Sequence, residues 1–472
     1  MKTLLPTPPP ACRTRAEKPS PTNGHSRPFP PVQAPAAIPS NESYLTQLAG
    51  LYALDSAYRE TMLSLVASEN YPSAFVRLAP AARHSSFYFF PPPFSTPPGE
   101  WGFHASGAED VLAEEIRQSA DRLFGIKSLD WRPAGGSIAE QAPLLAACRR
   151  GDGFVHFAHS DGGHFALEAL ADRLGLKTLH VPVDQKTLLV DVGALGTLVR
   201  NNPEVRAVIL DQSFKIRQQP IAAIRSVLPK GVLLTYDCSH DGALIAGGAV
   251  ANPLLQGADI LHGNTHKTIA GPQRAFIGFR DPQHPLLKDT AAWVCPNLQS
   301  NCHAGELGSM LVAFKELEMY GRPYARQIVD NAKALAEELR RQDLLVSGEG
   351  FGFTETHQVW LRLGAADYAL DIAQRVLPEA GVRTTNIQIP GTNGDHGLRL
   401  GTQALTRRGF KPAHCREAAS LIARVLRNES PGRIRAEVCE LLSSFPLFPL
   451  HFSFDDLVYS KEGMELINRI TA

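Results

Sequence analysis

The chain has no surplus of either charge: Lys+Arg and Asp+Glu each number 47 in 472 residues. No long block of one sign occurs, which argues against nucleic acid and anionic membrane surfaces as partners. No apolar run approaches the length needed to span a bilayer. The N-terminus lacks the charged-then-apolar order of a secretory signal, so a cytoplasmic location is expected. Cysteine is sparse, odd in number and scattered: Cys12, Cys148, Cys238, Cys295, Cys302, Cys415 and Cys439. None forms a Cys-x-x-Cys pair, which argues against a disulfide framework or a zinc site. Several lie in apolar runs and read as buried thiols in a reducing compartment.

What is present is ordinary globular composition, 44% hydrophobic and 20% charged, in a chain long enough for two domains. Residues 1–40 are rich in proline, with Lys2, Arg13, Arg15, Lys18 and Arg27 interspersed. Such a segment buries too little apolar area to offset its ordering entropy and reads as a disordered extension, with a cleaved targeting piece as the alternative. Residues 41–80 read as an N-terminal helical arm, with Leu45, Leu48, Leu51, Leu54, Met62 and Leu65 on one stripe. Aromatics and prolines crowd residues 87–103, where prolines forbid a helix and the aromatics suggest a pocket wall or an interface. Helical stretches then alternate with apolar runs at Phe154–Ala158, Thr178–Val183, Val205–Leu210, Val232–Tyr236, Ile260–His262 and Ala275–Phe279. Apolar strands separated by helices predict an α/β domain with a mostly parallel sheet, over 81–325. A smaller C-terminal α+β domain is expected over 326–450, followed by a tail at 451–472.

Three stretches carry chemistry. Lys267 follows the apolar run Ile260–His262 and precedes a Gly-Pro break. A lysine leaving a core strand is partly desolvated, which lowers its pKa and suits a Schiff base with an aldehyde cofactor. Gly135-Gly136-Ser137 opens a helix whose free N–H groups can hold a phosphate, and Ser137-x-x-Glu140 has capping-box spacing. Asp237 ends another apolar run, where open α/β sheets keep their ligands, and could pair with a protonated ring nitrogen. Each has a plainer reading: a turn lysine, a capped helix, a strand-end carboxylate. Their order along the chain favours a pyridoxal-phosphate enzyme of the aminotransferase-like fold.

Longer strings add a resemblance. Asp237-Cys-Ser-His240-Asp-Gly-Ala-Leu-Ile-Ala-Gly-Gly, Thr265-His266-Lys267-Thr-Ile-Ala-Gly-Pro, Ala67-Ser68-Glu69-Asn70-Tyr71 and Leu398-Arg399-Leu-Gly-Thr-Gln resemble serine hydroxymethyltransferase, over about 45 to 448. The resemblance implies pyridoxal 5'-phosphate and a homodimer whose active sites draw on both subunits. It makes Lys267 the Schiff-base lysine, Asp237 the partner of the pyridine nitrogen, and His240 a neighbour of the ring 3-oxygen. Gly135, Gly136 and Ser137 would hold the phosphate, with Ser213, Thr265 and His266 also touching the cofactor. Arg399 would clamp the amino acid carboxylate, with Ser68 and Tyr88 beside it. No metal is implied, and Cys302-His303 reads as structural.

Departures from the family pattern matter equally. Phe90 stands where the family has its catalytic glutamate, and Phe103 at a family tyrosine. Asp161, in Ser160-Asp161-Gly-Gly-His164, takes the place read as the ring-stacking histidine; it could add negative charge there, bond the substrate, or act as a base. The family's glycine-rich loop to the partner's phosphate reads Asn297-Leu-Gln299-Ser300-Asn301. Phenylalanine has no proton to move, so folate-dependent serine cleavage is in doubt. The expectation is an amino acid held as an external aldimine, undergoing folate-independent Cα–Cβ aldol, retro-aldol or transaldol chemistry. The substrate would be of the glycine, serine or threonine type, with an aldehyde co-substrate, in specialised metabolism. Decarboxylation, oxidation, racemisation and true hydroxymethyl transfer stay open, whereas intact Lys267, Asp237 and Arg399 argue against a non-catalytic scaffold.

Overall fold

A computed structural model of the protein describes residues 41–89 and 107–471. The expected extension 1–40, and Phe90 and Phe103 with most of the aromatic segment, lie outside the described residues. The chain divides into two compact units, residues 1–54 and 55–472. The described part of the first unit is helical, opening α1 (Asn41–Glu60). Its Tyr44, Leu45, Leu51, Tyr52 and Leu54 are exposed.

The stripe expected to continue helical through Met62 and Leu65 stops at Glu60. Leu63–Ser64 instead pair in parallel with Val382–Arg383, and Leu63 and Leu65 donate to the carbonyls of Gly381 and Arg383 at 2.8 Å. Buried Met62, Leu63 and Leu65 gain more from this pairing than from one further helical turn, so tertiary context overrides local periodicity.

The second unit holds a seven-stranded sheet. Its strands are β1 (Ser128–Asp130), β2 (Gly153–His156), β3 (Lys177–His180), β4 (Val205–Leu210), β5 (Leu233–Asp237), β6 (Ile260–Asn264) and β7 (Ala275–Phe279). Their spatial order is β1-β7-β6-β5-β4-β2-β3. All neighbours from β6 to β3 are parallel, whereas β7 is antiparallel to both β6 and β1. The central strands are buried along nearly their whole length, as expected of a sheet covered on both faces. The short edge strand β1 escaped the sequence reading because only Leu129 marks it as apolar.

Helices α2 (Ala108–Phe124), α3 (Gly136–Ala147) and α4 (Ala166–Leu174) belong to this sheet's domain. The long α5 (Leu307–Arg341) packs on α2 and on α6 (Pro412–Leu426). A second, antiparallel sheet has β8 (Gln358–Gly364) and β9 (Thr385–Gln388) on either side of β10 (His396–Gly401). The architecture is thus α/β with a smaller sheet domain. One apolar core surrounds the large sheet and includes Ile328; the second takes over at Ala332 on the same helix. Residues 451–472 include a docked segment: Phe452 joins the first core, and Asp455 accepts the Ala74 N–H at 2.6 Å.

Where α5 meets the segment after β10, Arg407 and Glu316 form an ion pair of 3.0 Å with both side chains 2% exposed. Removing one partner would strand a buried charge. Glu316→Ala is expected to destabilise the fold by about 3–5 kcal/mol. A denaturant midpoint within error of the wild type would show that water reaches the pair.

Candidate active site

Asp237 and Lys267 come together because β5 and β6 are parallel neighbours, with Asp237 opposite His262 in register. Both lie at the C-terminal edge of the sheet, where such folds bind ligands. They line one cavity of about 270 Å³ with Gly135, Gly136 and Ser137 of the α3 N-terminus. Glu140, His164 and His266 complete much of its wall. A larger cavity of about 720 Å³ opens among Arg206, Arg225, Lys230, Asp259 and Arg280. It lies at the opposite strand ends, and no residue expected to act lines it.

The loop carrying Lys267 is tightly closed. The Thr265 hydroxyl donates to the Pro272 carbonyl at 2.6 Å, and the Gly271 N–H donates to the Thr265 carbonyl at 2.6 Å. The Asn70 amide donates to the Lys267 carbonyl at 2.7 Å. Thr265, expected to touch a cofactor, is fully buried and works as this latch. Burial lowers the Lys267 amine below the usual lysine range, although Asp237 acts to raise it. Its Nζ lies 3.3 Å from His240 Nε2.

Burial alone would push Asp237 up, but His262, Lys267 and Lys215, with the Ser239 N–H at 2.7 Å, hold it below the usual carboxylate range. Lys215, overlooked in the sequence, is buried and donates to the Asp237 carbonyl at 3.0 Å. His240 is buried and stacks on His357, ring centroids 5.6 Å apart. Burial and the nearby Lys267 push it well below the usual histidine range, so it is neutral. His357 is likewise held down, to about 3, chiefly by burial.

His164, not Asp161, stands in the cavity wall. Gly162 has φ +92°, and a Cβ on Gly163 would meet the Phe157 carbonyl oxygen at 1.9 Å. Only glycines allow this turn, which swings His164 toward Lys267 and leaves Asp161 outside. The Asp161 carboxylate accepts from Gln185 at 2.9 Å. Asp161, expected at the cofactor, thus lies outside the lining of the cavity that holds Lys267. Behind His164, its Nδ1 lies 3.2 Å from Glu140. Glu140 does not form the expected capping box; α3 has no side-chain cap. Burial raises the Glu140 carboxyl to about 7, and hydrogen bonding to Glu140 raises His164.

Arg399 projects from β10. Its Nη1 donates to the Ser213 carbonyl at 3.1 Å, and its guanidinium lies 5.0 Å over Phe214. Nε is buried without a partner, and among the described residues no carboxylate pairs with it. Burial alone pulls it down to about 10, which leaves it charged. Ser213, expected at the cofactor, positions this arginine through its carbonyl. Ser68 lines a neighbouring cavity of about 470 Å³ that shares His266 and Gln273 with the first. Tyr88 is about half exposed and lines neither. Gln299 braces the glycine loop, accepting the Ala134 N–H at 2.9 Å and donating to the Arg132 carbonyl at 3.0 Å. The carbonyls of Cys302 and His303 both accept from Arg274 at 2.9 Å, a structural arrangement.

The family model for serine hydroxymethyltransferase matches residues 46–422. The chain belongs to the serine hydroxymethyltransferase family. Among curated members, the serine hydroxymethyltransferase of Archaeoglobus fulgidus is 33% identical over 368 residues, 76% of this chain and 82% of the relative. That of Methanopyrus kandleri is 33% identical over 395 residues, covering 81% and 89%. A crystal structure of L-threonine transaldolase from Pseudomonas fluorescens in the internal aldimine state is 51% identical, with a TM-score of 0.89. It covers 91% of this chain and 98% of that one.

The cofactor is pyridoxal 5'-phosphate, and the residues fit it. The first α3 amides to bond within the helix are those of Ile138 and Ala139, so Gly136 and Ser137 keep theirs for a ligand. A Cβ on Gly136 would meet the Asn264 amide at 2.5 Å, so glycine lets α3 sit against β6. Buried Nδ1 atoms of His240 and His266 lack partners.

Glu140→Gln would remove the carboxylate that raises His164. The imidazole should then titrate at lower pH than in the wild type, by nitrogen–proton NMR of labelled histidine. An unchanged titration would break the link between the two.

Proposed function

We propose that this enzyme breaks and makes the Cα–Cβ bond of a β-hydroxy amino acid without folate, by retro-aldol, aldol or transaldol chemistry. The observation that carries the reading is Arg399, a buried guanidinium with no carboxylate partner among the described residues. An uncompensated buried charge is costly, and a substrate carboxylate is the group that relieves it. The likeness to an L-threonine transaldolase supports the choice of bond, and Phe90 in place of the glutamate supports independence from folate. When bound, pyridoxal phosphate supplies an electron sink for charge developing at the substrate Cα.

The chain's own groups take the remaining parts. Lys267 Nζ anchors the cofactor, its amine made nucleophilic by lost hydration. Asp237, kept charged, would retain a proton on the pyridine nitrogen. The free amides of Gly136 and Ser137 would hold the phosphate, and His164, steadied by Glu140, lines the same cavity. Neutral His240 can exchange a proton with Lys267 Nζ across 3.3 Å. Arg399, oriented by the Ser213 carbonyl, fixes the carboxylate and hence the orientation of the bonds at Cα.

The active form we infer is a homodimer with shared sites. Exposed Leu45, Leu51 and Leu54 in the first unit, and exposed Phe87 in the second, are surfaces a second copy would cover. A monomer mass by light scattering would overturn it. Among the described residues no helix is long and apolar enough to cross a membrane. The six described cysteines are free, in keeping with the reducing cytoplasm we assign.

With L-threonine and an aromatic aldehyde such as benzaldehyde, the protein should release acetaldehyde and form β-phenylserine in equal amounts, without tetrahydrofolate. The bond from Cα to the departing carbon breaks and an equivalent bond forms, with no net oxidation. Carbon dioxide, racemised threonine, or turnover only with tetrahydrofolate would each sink the proposal.

Arg399→Ala should cut kcat/KM for the amino acid by about 10- to 100-fold, the loss expected for a charged hydrogen bond. Most of it should fall on KM. Equal KM values for the two proteins would remove Arg399 from the carboxylate site.

A further inference from the structure

We propose that this chain holds a divalent transition metal ion, zinc by its donor set, between His156, Glu168 and His180. The three residues come from separate elements: the last positions of β2 and β3, and the first turn of α4. Parallel register places His156 beside His180. One ligand atom from each lies within 4.8 Å of the others. Glu168 Oε1 is 3.1 Å from His180 Nε2 and 3.6 Å from His156 Nε2. Ligand atoms about 2.0–2.1 Å from a tetrahedral zinc have comparable separations. The two imidazoles stand edge to face, centroids 5.4 Å apart and planes at 81°.

The second observation comes from His156 itself. It is 1% exposed, and its Nε2 has no hydrogen-bond partner. Its Nδ1 lies 3.1 Å from Asp211 Oδ2, a fully buried carboxylate. An ionised carboxylate only accepts, so Nδ1 carries the proton and Nε2 presents a lone pair. That nitrogen faces the Glu168 carboxylate at 3.6 Å, beyond hydrogen-bond reach, and a cation between the two would satisfy both. Carboxylate, histidine and metal in this sequence is the usual arrangement of a histidine ligand and its outer partner. Two histidines and one glutamate suit zinc, with a position left for water on the exposed side.

The site is distinct from the cofactor cavity but joined to it. Asp211 Oδ2 also accepts the His164 N–H at 3.0 Å, and Oδ1 accepts the Phe157 N–H at 3.0 Å. An ion here would tie α4 and the edge strand β3 to β2, and through Asp211 would steady the turn that places His164.

The test uses tag-free, full-length holoenzyme, dialysed against a chelator and titrated with zinc chloride by calorimetry. We expect one zinc per chain and a higher melting temperature with zinc. Loss of an outer partner alone costs about 10- to 100-fold in affinity, so Glu168→Gln and His180→Ala should each weaken binding at least tenfold. Both ligands are exposed, so these variants should keep the wild-type circular dichroism; His180→Cys, which restores a ligand, should recover binding. X-ray absorption at the zinc edge should show two imidazoles. No binding, undiminished binding in the double variant, or a shell of sulfur ligands would overturn the assignment.

Discussion

Everything in the site follows from burying an amine and a carboxylate at the ends of adjacent parallel strands. Neither charge survives alone in such a place. Asp237 stays ionised because His262, Lys267 and Lys215 face it, and Lys267 stays usable because burial outweighs the pull of Asp237. The amine is therefore held between two conditions, and the Thr265–Pro272 latch with Asn70 keeps it from relaxing into water. A looser loop would restore hydration and return an ordinary lysine.

Arg399 completes this balance from the other sheet. Its cation has a carbonyl and an aromatic face but, among the described residues, no anion. Lys215 is matched by Asp241 at 3.3 Å and Lys267 by Asp237, so Arg399 is the cation left over; burial first, then Lys267 and Arg399, keeps His240 neutral. A phosphate and a carboxylate are the natural complements. The cations that recruit anionic ligands thus add to burial in keeping His240, 3.3 Å from Lys267 Nζ, uncharged.

The sequence made the large sheet legible because its strands are apolar throughout: Val205–Leu210 and Ala275–Phe279 read as they fold. Lys267, Asp237 and Arg399 were legible because short strings around them are distinctive. What escaped depends on three-dimensional register. Asp161 and His164 are close in sequence, and only the steric demand of Gly162 and Gly163 decides which one reaches the cavity. Ser137-x-x-Glu140 has the spacing of a cap, yet His164, 3.2 Å away, claims the buried Glu140 instead. Met62 and Leu65 fit a helical stripe until pairing with Val382–Arg383 removes them from it.

The histidine cluster escaped for a related reason. His156, Glu168 and His180 lack the close ligand pair that marks a metal-binding motif in sequence, and each alone resembles a strand-end or helix-surface residue. Parallel strands shift neighbours in sequence far apart, yet bring residues of equal rank along consecutive strands side by side. In such a sheet a ligand set forms at the C-terminal edge without a local signature. Asp211 lies at that edge too, one residue beyond β4, and its two oxygens serve the His156 ring, the His164 backbone and Phe157 at once. A carboxylate in that position cannot move for one partner without moving the others. The edge on which the catalytic groups are arranged is therefore braced from its far end by a buried acid, and what holds His156 in place also bears on how His164 faces the cofactor.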